Sequence, residues 1–193
     1  MEDGPKNALR KEARETLRAM PREVRARESA EIAERVLSLP ELARARTVLA
    51  YAALPEEPDL ATAFALLRER GTAVAYPRVT GPRALTLHVA SETDLAPGTY
   101  GILEPAADAP VMAADGLDAV VLPGLAFDRS GVRLGHGGGF YDTLLADLPP
   151  HVARIGVAFD AQVRETLPRE EHDALVDVVV TATVVYRRSD RKR

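Results

Sequence analysis

Apolar positions along the first forty residues recur at helical spacing. Leu9, Ala13, Leu17 and Met20 mark one face of a segment from Lys6 to Met20, and Val24, Ile32, Val36 and Leu39 mark one face of a second, from Arg22 to Leu39. Intervals of three and four residues predict two helices that each bury one side. Pro21 stands between them, where proline suits a helix start better than an interior. The pattern then changes to short apolar runs. Thr47 to Ala53 has strand character, and Asp59 is placed to cap a helix that runs to Arg70 and ends at Gly71. Strands Thr72 to Tyr76 and Leu85 to Val89 follow, separated by a turn at Gly81-Pro82. Ala96 to Ala114, rich in Pro, Ala and Gly, predicts an irregular connection. Leu117 to Leu122 predicts a buried strand stopped by Pro123-Gly124, and Phe140 to Asp147 a helix. Strand Arg154 to Phe159, a short helix over Ala161 to Leu167 and strand Val176 to Thr181 complete the chain.

Val48–Ala50, Ala119–Leu122 and Val178–Val180 are apolar without interruption. Such runs are expected where helices cover both faces of a parallel sheet. The alternation of helix and strand therefore predicts an α/β fold, a three-layer α/β/α sandwich with a mainly parallel central sheet. No repeat or composition break divides residues 1–193, so a single domain is expected. With 46% hydrophobic residues the chain can bury a substantial core. Its net charge of -4 gives no support to nucleic-acid binding. No cysteine occurs, which excludes disulfides and thiolate metal sites. The charged first helix and the lack of a long apolar run predict a cytoplasmic protein with no membrane attachment. The run Arg187 to Arg193 is expected to be a frayed, solvated tail.

Chemistry concentrates in Leu134-Gly135-His136-Gly137-Gly138-Gly139-Phe140-Tyr141-Asp142. So many glycines bend the backbone sharply or let it approach a ligand closely. With Arg133 before the loop and a helix start after it, bare amide groups and a cation converge as a phosphate would require. It is not a nucleotide P-loop, since no lysine is nearby, nor a dinucleotide fingerprint, since Phe140 stands at the third glycine. An irregular turn is the competing reading. The four histidines, 88, 136, 151 and 172, lack paired ligand spacing. Carboxylates suit magnesium better. Asp142 is one candidate, with either Asp173 or Asp177 as the second. Glu56-Glu57, Arg78, the Pro123 to Asp128 segment and Phe159-Asp160 fall near strand ends, where α/β sheets bind ligands. Each also has an ordinary loop or turn role open to it, as Lys6 and Arg10 have a solvated helix face.

The run Val121-Leu122-Pro123-Gly124-Leu125-Ala126-Phe127-Asp128 followed by Gly131 to Asp142 resembles the signature of the 5-formyltetrahydrofolate cyclo-ligases, or methenyltetrahydrofolate synthetases. The resemblance extends over nearly the whole chain. It includes Lys6 to Arg10, Leu54-Pro55-Glu56-Glu57, Tyr76-Pro77-Arg78, Tyr100-Gly101-Ile102-Leu103-Glu104-Pro105, Gly156 to Asp160, Leu167-Pro168 and His172-Asp173 through Val180-Thr181. It implies a fold related to sugar-phosphate isomerases and CoA transferases. It also implies ATP-dependent closure of 5-formyltetrahydrofolate, with or without a polyglutamate tail, to 5,10-methenyltetrahydrofolate. In that reaction the formyl oxygen takes the γ-phosphoryl group as an iminium phosphate, and N10 then displaces phosphate.

By the same resemblance, Lys6 and Arg10 hold ATP, and Arg133, Leu134, Gly135, His136, Gly137, Gly138, Gly139, Phe140 and Tyr141 wrap its triphosphate. Asp142 and Asp173 help hold Mg²⁺, with Asp177 in reserve. Ala52, Leu54, Glu57, Arg78 and Tyr141 bind folate, and Arg133, Tyr141 and Glu57 are the catalytic set. A small-molecule substrate and a monomer are expected. His136, Phe140, Thr143 and Gly138 depart from the family's commonest residues; Phe140 removes a hydroxyl, and Gly138 stands where some relatives carry lysine. A sugar-phosphate isomerase or CoA transferase, or a non-catalytic folate- or nucleotide-binding protein on the same fold, are the competing readings.

Overall fold

A computed structural model describes residues 4–170 and 173–188. Helices α1 (Pro5–Ala19) and α2 (Arg22–Leu37) meet at Pro21, which is the residue before α2's first turn. Short α3 (Pro40–Ala43) continues past Leu39. The central sheet then begins. Its strands in chain order are β1 (Thr47–Leu49), β2 (Ala73–Gly81), β3 (Ala84–Val89), β4 (Val111–Met112), β5 (Ala119–Leu122), β6 (Ala153–Val157), β7 (Val178–Val180) and β8 (Val185–Arg187). Their spatial order is β8-β7-β6-β5-β1-β2-β3-β4. The five inner strands run parallel, and antiparallel partners join at both edges.

Successive residues of the inner strands enter opposite cores, as strand geometry requires. Val48, Val121, Ile155 and Val178 face a core with α1, α2, α3 and α4 (Ala61–Glu69), where Phe64 lies edge-on between Tyr51 and Tyr76. Leu49, Val120, Leu122 and Val179 face the other, with Leu144 and Leu145 of α5 (Phe140–Asp147). Helices thus cover both faces, and the architecture is the three-layer sandwich expected. Burial on both sides explains why β5 is apolar at every position.

Three segments differ from the sequence pattern. Residues 96–114 contain real structure: Ala96–Pro97 pairs with Leu103–Glu104, and β4 joins the sheet edge. The helix expected over Ala161 to Leu167 is a single 3₁₀ turn, Asp160–Gln162, followed by the strand pair Val163–Arg164 with Ala126–Asp128. Buried Gln162 stops it. Its carboxamide oxygen accepts from Phe159 N–H at 2.7 Å and its amide donates to Gly124 O at 2.6 Å, so local bonds replace helical ones. Arg187, the expected start of a frayed tail, is the last residue of edge strand β8 and is ion-paired to Glu41, while 189–193 lie outside the described residues. Asp128 has a turn role: its carboxylate accepts from the backbone of Ser130, Val132 and Leu167.

Candidate active site

The glycine loop leaves a small three-stranded sheet of Val163–Arg164, Ala126–Asp128 and Arg133–Leu134, just beyond the end of β5. Gly137 (φ 104°) and Gly139 (φ 72°) adopt left-handed backbone that other residues resist, and Gly139 hands the chain directly to α5. At Gly135 the reason for glycine is space: a Cβ there would lie 2.6 Å from Arg133 Nη1. Helix α1 holds the loop from its other side. Arg10 Nε donates to Gly135 O and Arg14 Nη2 to His136 O, both at 3.1 Å.

Two cavities flank this loop. The larger, about 790 Å³, is polar and brings Lys6, Arg10, Arg133, Asp142 and Asp173 together across the whole length of the chain. The smaller, about 480 Å³, is mainly apolar and includes Ala52, Leu54, Glu57, Phe140 and Tyr141. Arg133, Gly135, Gly137, Gly139 and Asp142 belong to both walls. Arg133 is the hinge of the arrangement. Its side chain is 5% exposed, its Nη2 donates to Asp142 Oδ1 at 2.8 Å, and its guanidinium lies over the Tyr141 ring at 5.5 Å. Its Nε is buried with no hydrogen-bond partner among the described residues. A buried, unsatisfied donor is costly. Arg133 lines a cavity that also holds Lys6 and Arg10, a set of cations that fits an anionic ligand.

In the polar cavity Lys6 Nζ donates to Asp173 Oδ2 at 2.7 Å and lies 3.1 Å from Glu170. Burial works to lower the Lys6 pKa, but the bonds and charges of Asp173 and Glu170 outweigh it and hold the ammonium above its ordinary value. In the apolar cavity Glu57 is buried. Its Oε2 accepts from Leu54 N–H at 3.0 Å, and its Oε1 is 3.1 Å from His136 Nε2. Burial, then the Glu57 charge, raise the Tyr141 pKa, so its phenol stays protonated at neutral pH.

Arg78 is placed differently from its neighbours in the expected folate set. It is not in either cavity wall: Nη1 donates to Pro105 O at 2.7 Å and lies 3.5 Å from Glu104 Oε2. It anchors the flap of residues 96–105, whose Tyr100, Ile102 and Leu103 form the outer wall of the apolar cavity. Asp177 is also elsewhere, accepting from Arg154 N–H at 2.9 Å at the base of β6. Asp142 and Asp173 share the polar cavity, each already bound to a cation, and no cluster of three or more metal-binding side chains occurs among the described residues. These residues suit a metal carried mostly by ligand oxygens. His172 lies outside the described residues.

Sequence reasoning missed Arg14, Arg83 and the role of Glu104. Arg14 was within reach of pattern, since Lys6, Arg10 and Arg14 form one stripe at four-residue intervals. Arg83 and Glu104 carry no local signal.

The sequence model of the 5-formyltetrahydrofolate cyclo-ligase family matches residues 2–182. The chain belongs to this family. The Escherichia coli K12 protein named 5-formyltetrahydrofolate cyclo-ligase is 31% identical over 178 residues, covering 90% of this chain and 98% of that relative. Among solved structures, Aquifex aeolicus 5,10-methenyltetrahydrofolate synthetase aligns at TM-score 0.85 and 34% identity, covering 97% of this chain and 95% of that one. A Mycoplasma pneumoniae 5,10-methenyltetrahydrofolate synthetase shares the fold at TM-score 0.77 and 20% identity, covering 92% and 99%. The glycine loop, both cavity walls and α1 all fall within the part matched to the cyclo-ligase family. No helix of the described residues is long and apolar enough to cross a membrane.

Proposed function

We propose that the protein closes 5-formyltetrahydrofolate to 5,10-methenyltetrahydrofolate at the expense of ATP, releasing ADP and phosphate. The observation that carries the reading is the junction of a cationic cavity and an apolar cavity at Arg133 and the glycine loop. Such a junction suits a triphosphate on one side and a flat, largely apolar pterin on the other. The formyl oxygen attacks the γ-phosphorus and ADP leaves. N10 then adds to the activated carbon, the carbon–oxygen bond breaks, and phosphate departs with the former formyl oxygen while N10 loses its proton.

An amide-like oxygen leaves poorly, and phosphorylation makes it a good leaving group. Little covalent work falls to the protein, whose share is position and charge. Lys6, Arg10 and the loop from Arg133 and Leu134 through Gly135, His136, Gly137, Gly138, Gly139, Phe140 and Tyr141 take the triphosphate. Arg133, buried with a free Nε, answers the charge that develops between the cavities. Glu57 orients the folate nitrogen, Ala52 and Leu54 give apolar contact, and the protonated Tyr141 phenol offers a donor at the reacting centre. Arg78 takes part through the flap. Asp142 and Asp173 would hold Mg²⁺ together with the phosphate oxygens, and that ion would supply further charge neutralisation. The reading is of a cytoplasmic, single-domain monomer.

The test is purified protein with 5-formyltetrahydrofolate, ATP and Mg²⁺, followed by the near-UV absorbance of the methenyl product. Product is expected only with ATP. Folate binding without product would favour a binding protein, and product without ATP would reject the phosphorylation route.

A further inference from the structure

The tight turn between β2 and β3, Pro82-Arg83, brings an arginine to the edge of the glycine loop. Arg83 has φ 57°, one of only two left-handed residues other than glycine among those described. The turn geometry calls for that backbone, although glycine or asparagine would meet it at less cost than arginine. Its side chain reaches across to the glycine loop: a Cβ on Gly139 would lie 3.1 Å from Arg83 Nε and 3.3 Å from its Cδ. Gly139 is the cap of α5, so the cation sits at the positive end of a helix, where a cation is disfavoured. That helix start has no side-chain cap of its own. Arg83 makes no hydrogen bond or ion pair with any described residue. The nearby Asp142 is already taken by Arg133.

An unpaired cation and an uncapped helix start thus meet in the wall of the polar cavity. An anion between Arg83 and the first turn of α5 relieves both at once. The same cavity wall gathers Lys6, Arg10 and Arg133 beside Arg83, a concentration of cations that suits an anionic ligand. Three other cations of that wall are paired, Lys6 with Asp173 and Glu170, Arg10 with Gly135 O and Asn7, and Arg133 with Asp142, while Arg169 is exposed. We propose that Arg83 is a further nucleotide-binding residue, which clamps the phosphate chain of ATP against the start of α5. This rests on the ATP-dependent reading above. The loop itself carries no lysine or arginine from Gly135 to Gly139, so the hairpin delivers one from outside it.

The test uses Arg83→Asn, since asparagine tolerates left-handed backbone without the charge, and Arg83→Gly, which removes both strain and charge. Dissociation constants for MgATP and for 5-formyltetrahydrofolate are measured by calorimetry, and thermal midpoints alongside. Both variants should bind MgATP about tenfold more weakly, the scale of one partly exposed charge-assisted bond. Folate affinity should stay within twofold, and the midpoint of Arg83→Gly should equal or exceed that of the parent. A purely structural turn residue would not give that split. MgATP affinity within twofold of the parent in both variants would overturn the proposal, as would equal loss for both ligands. If the parent binds MgATP but makes no methenyl product, the cyclo-ligase reading fails and the MgATP constants still decide Arg83. A parent that does not bind MgATP overturns both.

Discussion

Glu104→Ala should loosen the outer wall of the apolar cavity while leaving the sheet intact. Glu104 is 3% exposed, and its Oε1 accepts from Thr99 N–H at 3.2 Å and Val79 N–H at 3.3 Å. Its Oε2 lies 3.5 Å from Arg78 Nη1. Alanine leaves both donors without their acceptor. For Val79, on a half-buried strand, the cost is about 1–3 kcal/mol; for Thr99, in an exposed turn, it is nearer to about 1 kcal/mol. Arg78 is 32% exposed and rehydrates, so its lost pairing adds only about 1 kcal/mol. The Arg78 bond to Pro105 O remains. The resulting 3–5 kcal/mol, as an order of magnitude (~), falls on one short flap, so it should appear as local opening. Hydrogen exchange at the Thr99 amide should rise about 100-fold or more, and the KM for 5-formyltetrahydrofolate at least about tenfold. The KM for ATP should move by less than about twofold. Unchanged exchange at Thr99, or equal rises in both KM values, would refute the flap's role as a folate wall.

Gly135→Ala places a Cβ 2.6 Å from Arg133 Nη1, so the guanidinium that holds Asp142 must shift. Turnover should fall about tenfold or more, while the thermal midpoint, read by calorimetry, shifts by only a few degrees (~). High pH should destabilise the fold through Tyr51 and Tyr76. Burial raises both pKa values, with a smaller contribution from Glu57 at Tyr51 and from Glu92 at Tyr76. A raised pKa means that this stability is whole below the ordinary tyrosine value of about 10 and is lost as pH climbs above it. Tyr141 is raised by burial in the same way, and three phenols held neutral give a limiting slope near 4.1 kcal/mol per pH unit (~), which urea unfolding from pH 9 to 11.5 would measure.

The fold was legible wherever burial imposed a period. Val36 and Leu17 sit fully in the core because their helices bury one face, and Val120 and Val121 because their strand buries both. The flap was not legible, because strands of two residues such as Ala96–Pro97 are too short to show alternation. The helix expected at Ala161 failed on a tertiary bond, that of Gln162 to Gly124 O, which no local propensity encodes. At the site, glycine density revealed the loop. Lys6 meets Asp173 across 167 positions, so spacing alone could not pair them, and only the family resemblance joined them beforehand. Arg78 shows the limit of that resemblance. A strand-end arginine reads as a ligand contact, yet here it holds Glu104 and Pro105, and the flap carries its influence to the cavity.

The central claim is that the junction at Arg133 passes a phosphoryl group from one cavity to the formyl oxygen in the other. The most direct measurement is turnover of 5-formyltetrahydrofolate labelled with ¹⁸O in its formyl group, with mass analysis of the released phosphate. The account predicts one ¹⁸O atom in each phosphate for each methenyl group formed. Unlabelled phosphate, with the heavy oxygen appearing in water, would contradict it.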